Sequence, residues 1–138
     1  MNAPRAAALF LVGLLLLVVS ACGEGYGDEP APPASSESAA ASSAPVPAGE
    51  ALDLIADGAR SIDVRTPAEF DAGHLDGAIN IDVQKADFEE RVSELPREAS
   101  YVVYCASGRR ATGAVERMVE LGFTDVVNGG GYDDLTRG

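Results

Sequence analysis

The sequence predicts an α/β fold, in which helices flank both faces of a parallel β-sheet. From about residue 50 onward, short apolar runs rich in Val, Ile and Tyr alternate with segments whose apolar residues have helical spacing. Continuous apolar runs of this kind are typical of strands that are buried on both faces of a parallel sheet. Strands that alternate with helices along the chain are typical of α/β domains.

The strand runs and the helical segments follow one another in a regular order. The predicted strands are residues 61–64, 78–81, 101–104 and 125–127, and the predicted helices are residues 50–57, 66–73, 86–95 and 109–122. The second helix is clearly marked, because Thr66-Pro67-Ala68-Glu69 has the pattern of a capping box with proline at the first helical position. The last of these helices carries an apolar stripe and ends at Gly122, which suits a left-handed helix stop.

The first 21 residues have the features of a signal peptide. One arginine precedes a 14-residue apolar run, which is too short to span a bilayer as a mature helix. The run ends at Val19-Ser20-Ala21-Cys22, which resembles the lipobox of bacterial lipoproteins. The resemblance implies that Cys22 is lipidated and that the protein is extracytoplasmic, anchored to a bacterial membrane on its periplasmic side or at the cell surface. The alternative is an ordinary secreted protein with a leftover cysteine.

Residues 22–49 differ in composition from the rest of the chain. They consist mainly of Gly, Pro, Ser, Ala and Glu, with almost no branched apolar side chains. Such a segment cannot bury enough surface to offset the entropy lost on ordering. We therefore expect a disordered tether over residues 22–49 and a folded domain over residues 50–138.

The charge of the chain restricts its partners. Ten Lys and Arg residues stand against 22 Asp and Glu residues, and the formal net charge is -12. This charge disfavours nucleic acid as a partner and is repelled by anionic lipid headgroups, so membrane attachment would depend on the lipid anchor. One histidine and one cysteine besides Cys22 do not make a zinc ligand set. We expect neither a metal nor another cofactor.

The most distinctive feature of the predicted domain is a cysteine loop between a strand and a helix, made of Cys105, Ala106, Ser107, Gly108, Arg109 and Arg110. Backbone N–H groups of such a loop point inward, and the following helix N-terminus adds a positive potential. These dipoles and the two guanidinium groups would favour the thiolate of the cysteine, and Gly108 would permit the tight curvature. The alternative is a buried core cysteine that happens to precede two surface arginines.

Three stretches of the domain resemble a single rhodanese domain: residues 62–81, 101–111 and 121–135. The resemblance implies a parallel sheet flanked by helices and a sulfurtransferase in which Cys105 attacks a small anionic sulfur donor such as thiosulfate. Cys105 would then carry the sulfur as a persulfide and pass it to cyanide or another thiophilic acceptor, either a small molecule or a protein thiol. The backbone of residues 106–110 would line the persulfide, Arg110 would close the loop, and Arg109 would assist in binding the donor.

Other residues that match the family are assigned supporting roles. Asp63 and Arg65 lie in a matching Asp-Val-Arg element, where they would form a buried ion pair or steer the end of the strand. His74 lies in an element that forms a structural turn in the family, so a structural role is expected for it. Leu135 stands where many members have a tryptophan, and this departure affects the mouth of the site.

Two other functions remain open at this stage. A non-catalytic rhodanese module could bind a partner or sense redox state at the cell envelope, with Cys105 cycling through oxidised forms. A phosphatase or arsenate reductase is disfavoured, because those relatives have a loop one residue longer than the six residues from Cys105 to Arg110.

Overall fold

The computed structural model describes residues 40–137, which fold around one sheet of five strands. The strands are β1 (Ser42–Pro45), β2 (Arg60–Asp63), β3 (Ile79–Asn80), β4 (Tyr101–Cys105) and β5 (Val126–Gly131). The helices are α1 (Ala48–Ala56), α2 (Pro67–Ala72), α3 (Phe88–Ser93), α4 (Arg109–Glu120) and α5 (Tyr132–Leu135). The strand order is β1-β5-β4-β2-β3, and every neighbouring pair is parallel. The predicted α/β fold is therefore confirmed.

Successive side chains of the central strand β4 point to opposite faces of the sheet, and both faces are covered. Tyr101, Val103 and Cys105 join the core cluster that α3 and α4 cover, whereas Val102 and Tyr104 join the cluster that α1 and α5 cover. Every residue of β4 is buried, which is why this strand has no alternation of polar and apolar residues. Cys105 thus belongs to the face that α4 covers.

Residues 42–49 correct the expected boundary between tether and domain. Ser42–Pro45 form β1, which pairs with β5, and the N–H of Val46 donates to the carbonyl oxygen of Asn128 at 2.9 Å. The sequence gives no strand signal here because β1 is an edge strand that is at most half-buried, so it needs no apolar run. Folded structure therefore begins within the segment expected to be a disordered tether.

The predicted strand at 125–127 also extends further than expected. β5 continues through Asn128, Gly129 and Gly130 to Gly131, a sequence that is more typical of a turn. The signal peptide expected over residues 1–21, the lipidation at Cys22 and the tether as far as residue 39 lie outside the described residues. Between residues 40 and 137, no helix is long and apolar enough to cross a membrane.

Gly129 is required in β5 by close packing within the sheet. A Cβ atom at this position would lie 2.6 Å from Cγ1 of Val102, which is fully buried in β4. We predict that Gly129→Ala lowers the free energy of unfolding by about 1–3 kcal/mol, because fully buried Val102 would have to shift to avoid the new methyl group.

The double variant Gly129→Ala/Val102→Ala tests that explanation. Val102→Ala alone leaves a cavity and destabilises the domain, but it also removes the atom that the new methyl group would meet. Urea denaturation should therefore show that the double variant loses less unfolding free energy than the two single variants together, by more than about 0.5 kcal/mol. Additive losses would contradict the packing explanation.

Candidate active site

The six predicted loop residues run from the last residue of β4 to the first two residues of α4. Cys105 is the last residue of β4, is 1% exposed, and pairs with Gly131 of β5. Ala106 and Ser107 are exposed, and Gly108 caps α4 with a left-handed φ of 81°. The helix begins at Arg109. This is the expected strand, loop and helix order, and the last two loop residues, Arg109 and Arg110, form the N-terminus of α4.

The back of the loop packs directly against the neighbouring strands β1 and β5. A Cβ on Gly108 would lie 3.3 Å from Cα of Gly130 and 3.4 Å from Cγ of Pro45, the last residue of β1. A Cβ on Gly131 would lie 2.9 Å from the carbonyl oxygen of Ala106. The glycines at the end of β5 therefore let the loop lie against the sheet.

Asn128 holds the back of the loop, and the sequence reasoning missed it. Its side chain is completely buried, and Nδ2 donates to the carbonyl oxygens of Ser43 and Gly108, at 3.0 and 3.1 Å, and to Oγ1 of Thr112 at 3.0 Å. Oδ1 accepts from the N–H of Gly130 at 2.9 Å. The available signal was an asparagine directly after the buried Val-Val run, because a buried amide needs hydrogen-bond partners.

Arg110 is held by a carboxylate from α2. Its NH1 and NH2 groups donate to Oε2 and Oε1 of Glu69 at 2.9 and 2.7 Å, and Glu69 also completes the capping box with Thr66. The hydrogen bonds from Arg110 are the main reason that the pKa of Glu69 is lowered to about 2. The pKa of Arg110 is raised, chiefly by Glu69 and more weakly by Cys105. Arg110 thus lies between Glu69 and the cysteine.

Arg109 differs from Arg110 in that its charge is not neutralised. Arg109 is exposed, and its side chain makes no hydrogen bond or ion pair with any residue of the described segment 40–137. Together with Ser107 and Arg110 it lines a cavity of about 410 Å³ next to the loop. An anion in this cavity would meet a free guanidinium group at Arg109 and one already paired with Glu69 at Arg110.

Asp63 and Arg65 form the expected ion pair, and this pair also makes hydrogen bonds with the backbone carbonyl group of Gly73 and with Asn80. Both residues are buried, the shortest distance between Arg65 Nη2 and Asp63 Oδ2 is 2.6 Å, and Arg65 also donates to the carbonyl oxygen of Gly73 at 2.6 Å. The hydrogen bond with Asp63 is the main cause that raises the pKa of Arg65. Asn80 donates to the carbonyl oxygens of both residues of the pair. The pair therefore joins the end of β2 to the chain around α2 and β3.

His74 and Leu135 also make packing contacts. The ring of His74 stacks on Phe70 at a centroid distance of 3.8 Å, and its Nδ1 atom lies 3.0 Å from the carbonyl oxygen of Phe70. These contacts agree with the structural role expected for His74. Leu135 is 3% exposed and packs in the core cluster on the α1 side of the sheet.

Comparisons with known proteins agree on one family. The Rhodanese-like domain family matches residues 47–137, a range that includes every described helix and strand except β1. The chain is 35% identical over 74 residues to thiosulfate sulfurtransferase PspE of Escherichia coli, covering 54% of this chain and 71% of that protein. The solved structure of a rhodanese with anions from E. coli has 35% identity and a TM-score of 0.51, covering 56% of this chain and 91% of that chain. The structure of the human single-domain sulfurtransferase TSTD1 has 31% identity and a TM-score of 0.55, covering 67% of this chain and 95% of that chain.

The pair between Glu69 and Arg110 predicts a pH-dependent contribution to stability. The pKa of Glu69 is depressed in the folded state, so its contribution is complete above the ordinary value of 4.5 and is lost as the pH falls toward 2. We predict that Glu69→Gln, which can keep the capping box, lowers the free energy of unfolding at pH 7 by at most about 1 kcal/mol, because the pair is partly exposed. The difference from wild type should shrink as the pH falls below 4.5 and disappear below about pH 2.

Glu116→Gln is the matched control for this measurement. Glu116 is exposed on α4 and has no ion pair among residues 40–137, so this variant removes one carboxylate without breaking a described pair. Denaturation of the three proteins at several pH values gives the comparison. A penalty for Glu69→Gln that is equal at pH 7 and at pH 2 would show that Arg110 is not its cause.

Proposed function

The chain belongs to the rhodanese-like domain family, and on this premise we propose that it is a sulfurtransferase in which Cys105 carries sulfane sulfur as a persulfide. The observation that supports this most directly is the position of buried Cys105 at the start of a six-residue loop whose Arg109 side chain is exposed and unpaired among the described residues. Loop length favours sulfur over phosphate chemistry, since Arg110 closes the loop as its sixth residue.

The first half of the reaction loads the cysteine. The Cys105 thiolate attacks the outer sulfur of thiosulfate, a new S–S bond forms, and the old S–S bond breaks so that sulfite leaves with its electron pair. Arg109 supplies positive charge for the oxygen atoms of the donor. Because Cys105 is 1% exposed, the terminal sulfur alone would reach it, while the anionic remainder stays at the cavity beside Arg109.

The second half of the reaction releases the sulfur. Cyanide or a thiolate attacks the outer sulfur of the persulfide, and the electron pair of the broken S–S bond returns to Sγ of Cys105. Between the two halves, the backbone N–H groups of the loop and the N-terminal end of α4 stabilise the negative charge of the persulfide. This chemistry requires no metal or organic cofactor.

We also propose that the protein acts outside the cytoplasmic membrane, anchored through lipid on Cys22. The support is sequence alone: an apolar run of signal-peptide length followed by Val-Ser-Ala-Cys. A thioether on Cys22 leaves Cys105 without an intramolecular disulfide partner, so its thiol would remain free for sulfur transfer in an oxidising compartment.

Sulfur loading can be read directly from the mass of the protein. Thiosulfate should add the mass of one sulfur atom, and cyanide should remove it with release of thiocyanate. Cys105→Ser should abolish both signals, whereas Cys22→Ser, which removes the other cysteine, should retain them in the purified protein. Sulfur loading that persists in Cys105→Ser would refute the mechanism.

Arg109→Ala should raise the KM for thiosulfate by about tenfold, because a charge-assisted contact is lost.

Anchoring is tested by metabolic labelling with a fatty acid in a bacterial host. Wild type should incorporate the label and sediment with membranes, and Cys22→Ser should do neither. Cys105→Ser is the matched control, because it removes the cysteine of the folded domain and should leave labelling intact. Equal labelling of wild type and Cys22→Ser would contradict the lipobox assignment.

A further inference from the structure

A second cleft lies beside the loop cavity, between residues 83–89 and one face of α4. Its volume is about 690 Å³, which falls within the roughly 300–1,000 Å³ typical of small-molecule sites. It is therefore much larger than a small inorganic donor or cyanide requires. Arg109 and Arg110 line both this cleft and the loop cavity, so the two openings share these side chains. The cleft is lined by Val83, Gln84, Lys85, Ala86, Phe88, Glu89, Arg109, Arg110, Gly113 and Arg117.

The charge of this cleft is opposite to that of the protein. Four of the ten basic residues of the chain line it, although the net charge is -12. Lys85 and Arg109 have no side-chain hydrogen bond or ion pair with the described residues, and Arg117 donates to the carbonyl oxygen of Val83 at 3.3 Å rather than to a carboxylate. The only acidic side chain in the lining is Glu89. The cleft therefore favours an anion.

Gly113 keeps the cleft open. It lies within α4, on the same face as Arg109 and Arg117, and a Cβ atom there would meet no other atom within 4 Å. Glycine inside a helix is unfavourable, and here no neighbouring atom requires it. Its effect is to leave space between the two arginines, where a larger side chain would project into the cleft.

We propose that this cleft holds the charged end of the sulfur acceptor, a low-molecular-weight thiol with a carboxylate separated from its sulfur by a carbon chain. The inference rests on the proposed function and names the class of acceptor. Lys85, Arg109 and Arg117 would bind the carboxylate, and the apolar surface of Val83 and Phe88 would contact the chain. The thiol end would extend past Arg109 toward the loop.

The transfer step is balanced without another reactant. The acceptor thiolate attacks the outer sulfur of the Cys105 persulfide, and a new S–S bond forms on the acceptor. The bond between Sγ and the outer sulfur breaks, and its electron pair stays on Sγ as the regenerated thiolate. The product is an organic persulfide that keeps its carboxylate, and no external oxidant or reductant is needed.

A matched pair of acceptors tests the inference: mercaptohexanoate, which is an anion, and mercaptohexanol, which is neutral. The quantity measured is the ratio of their kcat/KM values with the sulfur-loaded protein, because the ratio cancels changes in the loop chemistry. Lys85→Glu should lower this ratio by about three- to fivefold or more, since a favourable charge is replaced by an unfavourable one. High salt should lower the ratio for wild type in the same direction.

Two further variants test whether the change in the ratio comes from the cleft or from the net charge of the protein. Gly113→Leu should project into the cleft, since a Cβ atom there meets no other atom within 4 Å, and should lower kcat/KM for mercaptohexanoate relative to cyanide. Arg97→Ala removes an exposed positive charge that precedes β4, at the end of the sheet opposite the loop, and should leave the ratio as in wild type.

The outcomes distinguish this inference from the function on which it rests. If thiosulfate does not load Cys105, the proposed function has failed. If loading occurs and the ratio is the same in wild type, Lys85→Glu and Arg97→Ala, the function stands and the cleft is not the acceptor site. Equal reductions in Lys85→Glu and Arg97→Ala would likewise overturn the inference, because they would show an effect of net charge alone.

Discussion

The buried amide of Asn128 is the interaction on which the arrangement of the site depends. One side chain joins the edge strand β1 through Ser43, the cysteine loop through Gly108, and helix α4 through Thr112. It also binds the backbone N–H of Gly130 in its own strand. A completely buried amide is stable only if its polar atoms are paired, so these elements must stay in register around it. The loop is thereby held by the sheet as well as by its own short sequence.

Two neighbouring arginines at the loop have different roles because their partners differ. Arg110 forms a two-pronged pair with Glu69, which holds its guanidinium group in place beside Cys105. Arg109 lacks such a partner among the described residues and faces two cavities. In a protein with a net charge of -12, unneutralised cations gathered at one opening create a local field that attracts anions. This contrast supports the proposal that Arg110 helps to position the site and that Arg109 binds the donor.

The fold was largely predictable, because its main strands are buried on both faces. Continuous apolar runs identify such strands, and β2 and β4 lie within one residue of the predictions. β1 could not be found in this way, since an edge strand of Ser, Ala and Pro that is at most half-buried resembles a linker. The glycines of β5 resemble a turn, and the need for them arises from Val102 and Ala106, which are distant in sequence.

The sequence by itself determined the order of strands β2 to β5 and helices α1 to α4, the six-residue loop and the resemblance that points to Cys105, because these are local patterns. The tertiary structure decided which groups meet the loop. From the sequence, Glu69 is recognised only as part of a helix cap, but in the fold it also pairs with Arg110. From the sequence, Asn128 resembles a turn residue, but in the fold its amide binds β1 and α4. From the sequence, Lys85 resembles an ordinary surface charge, but in the fold it lines the cleft beside α4. Hydrogen bonds and electrostatic fields depend on distance in space, and that distance is set only when the chain has folded.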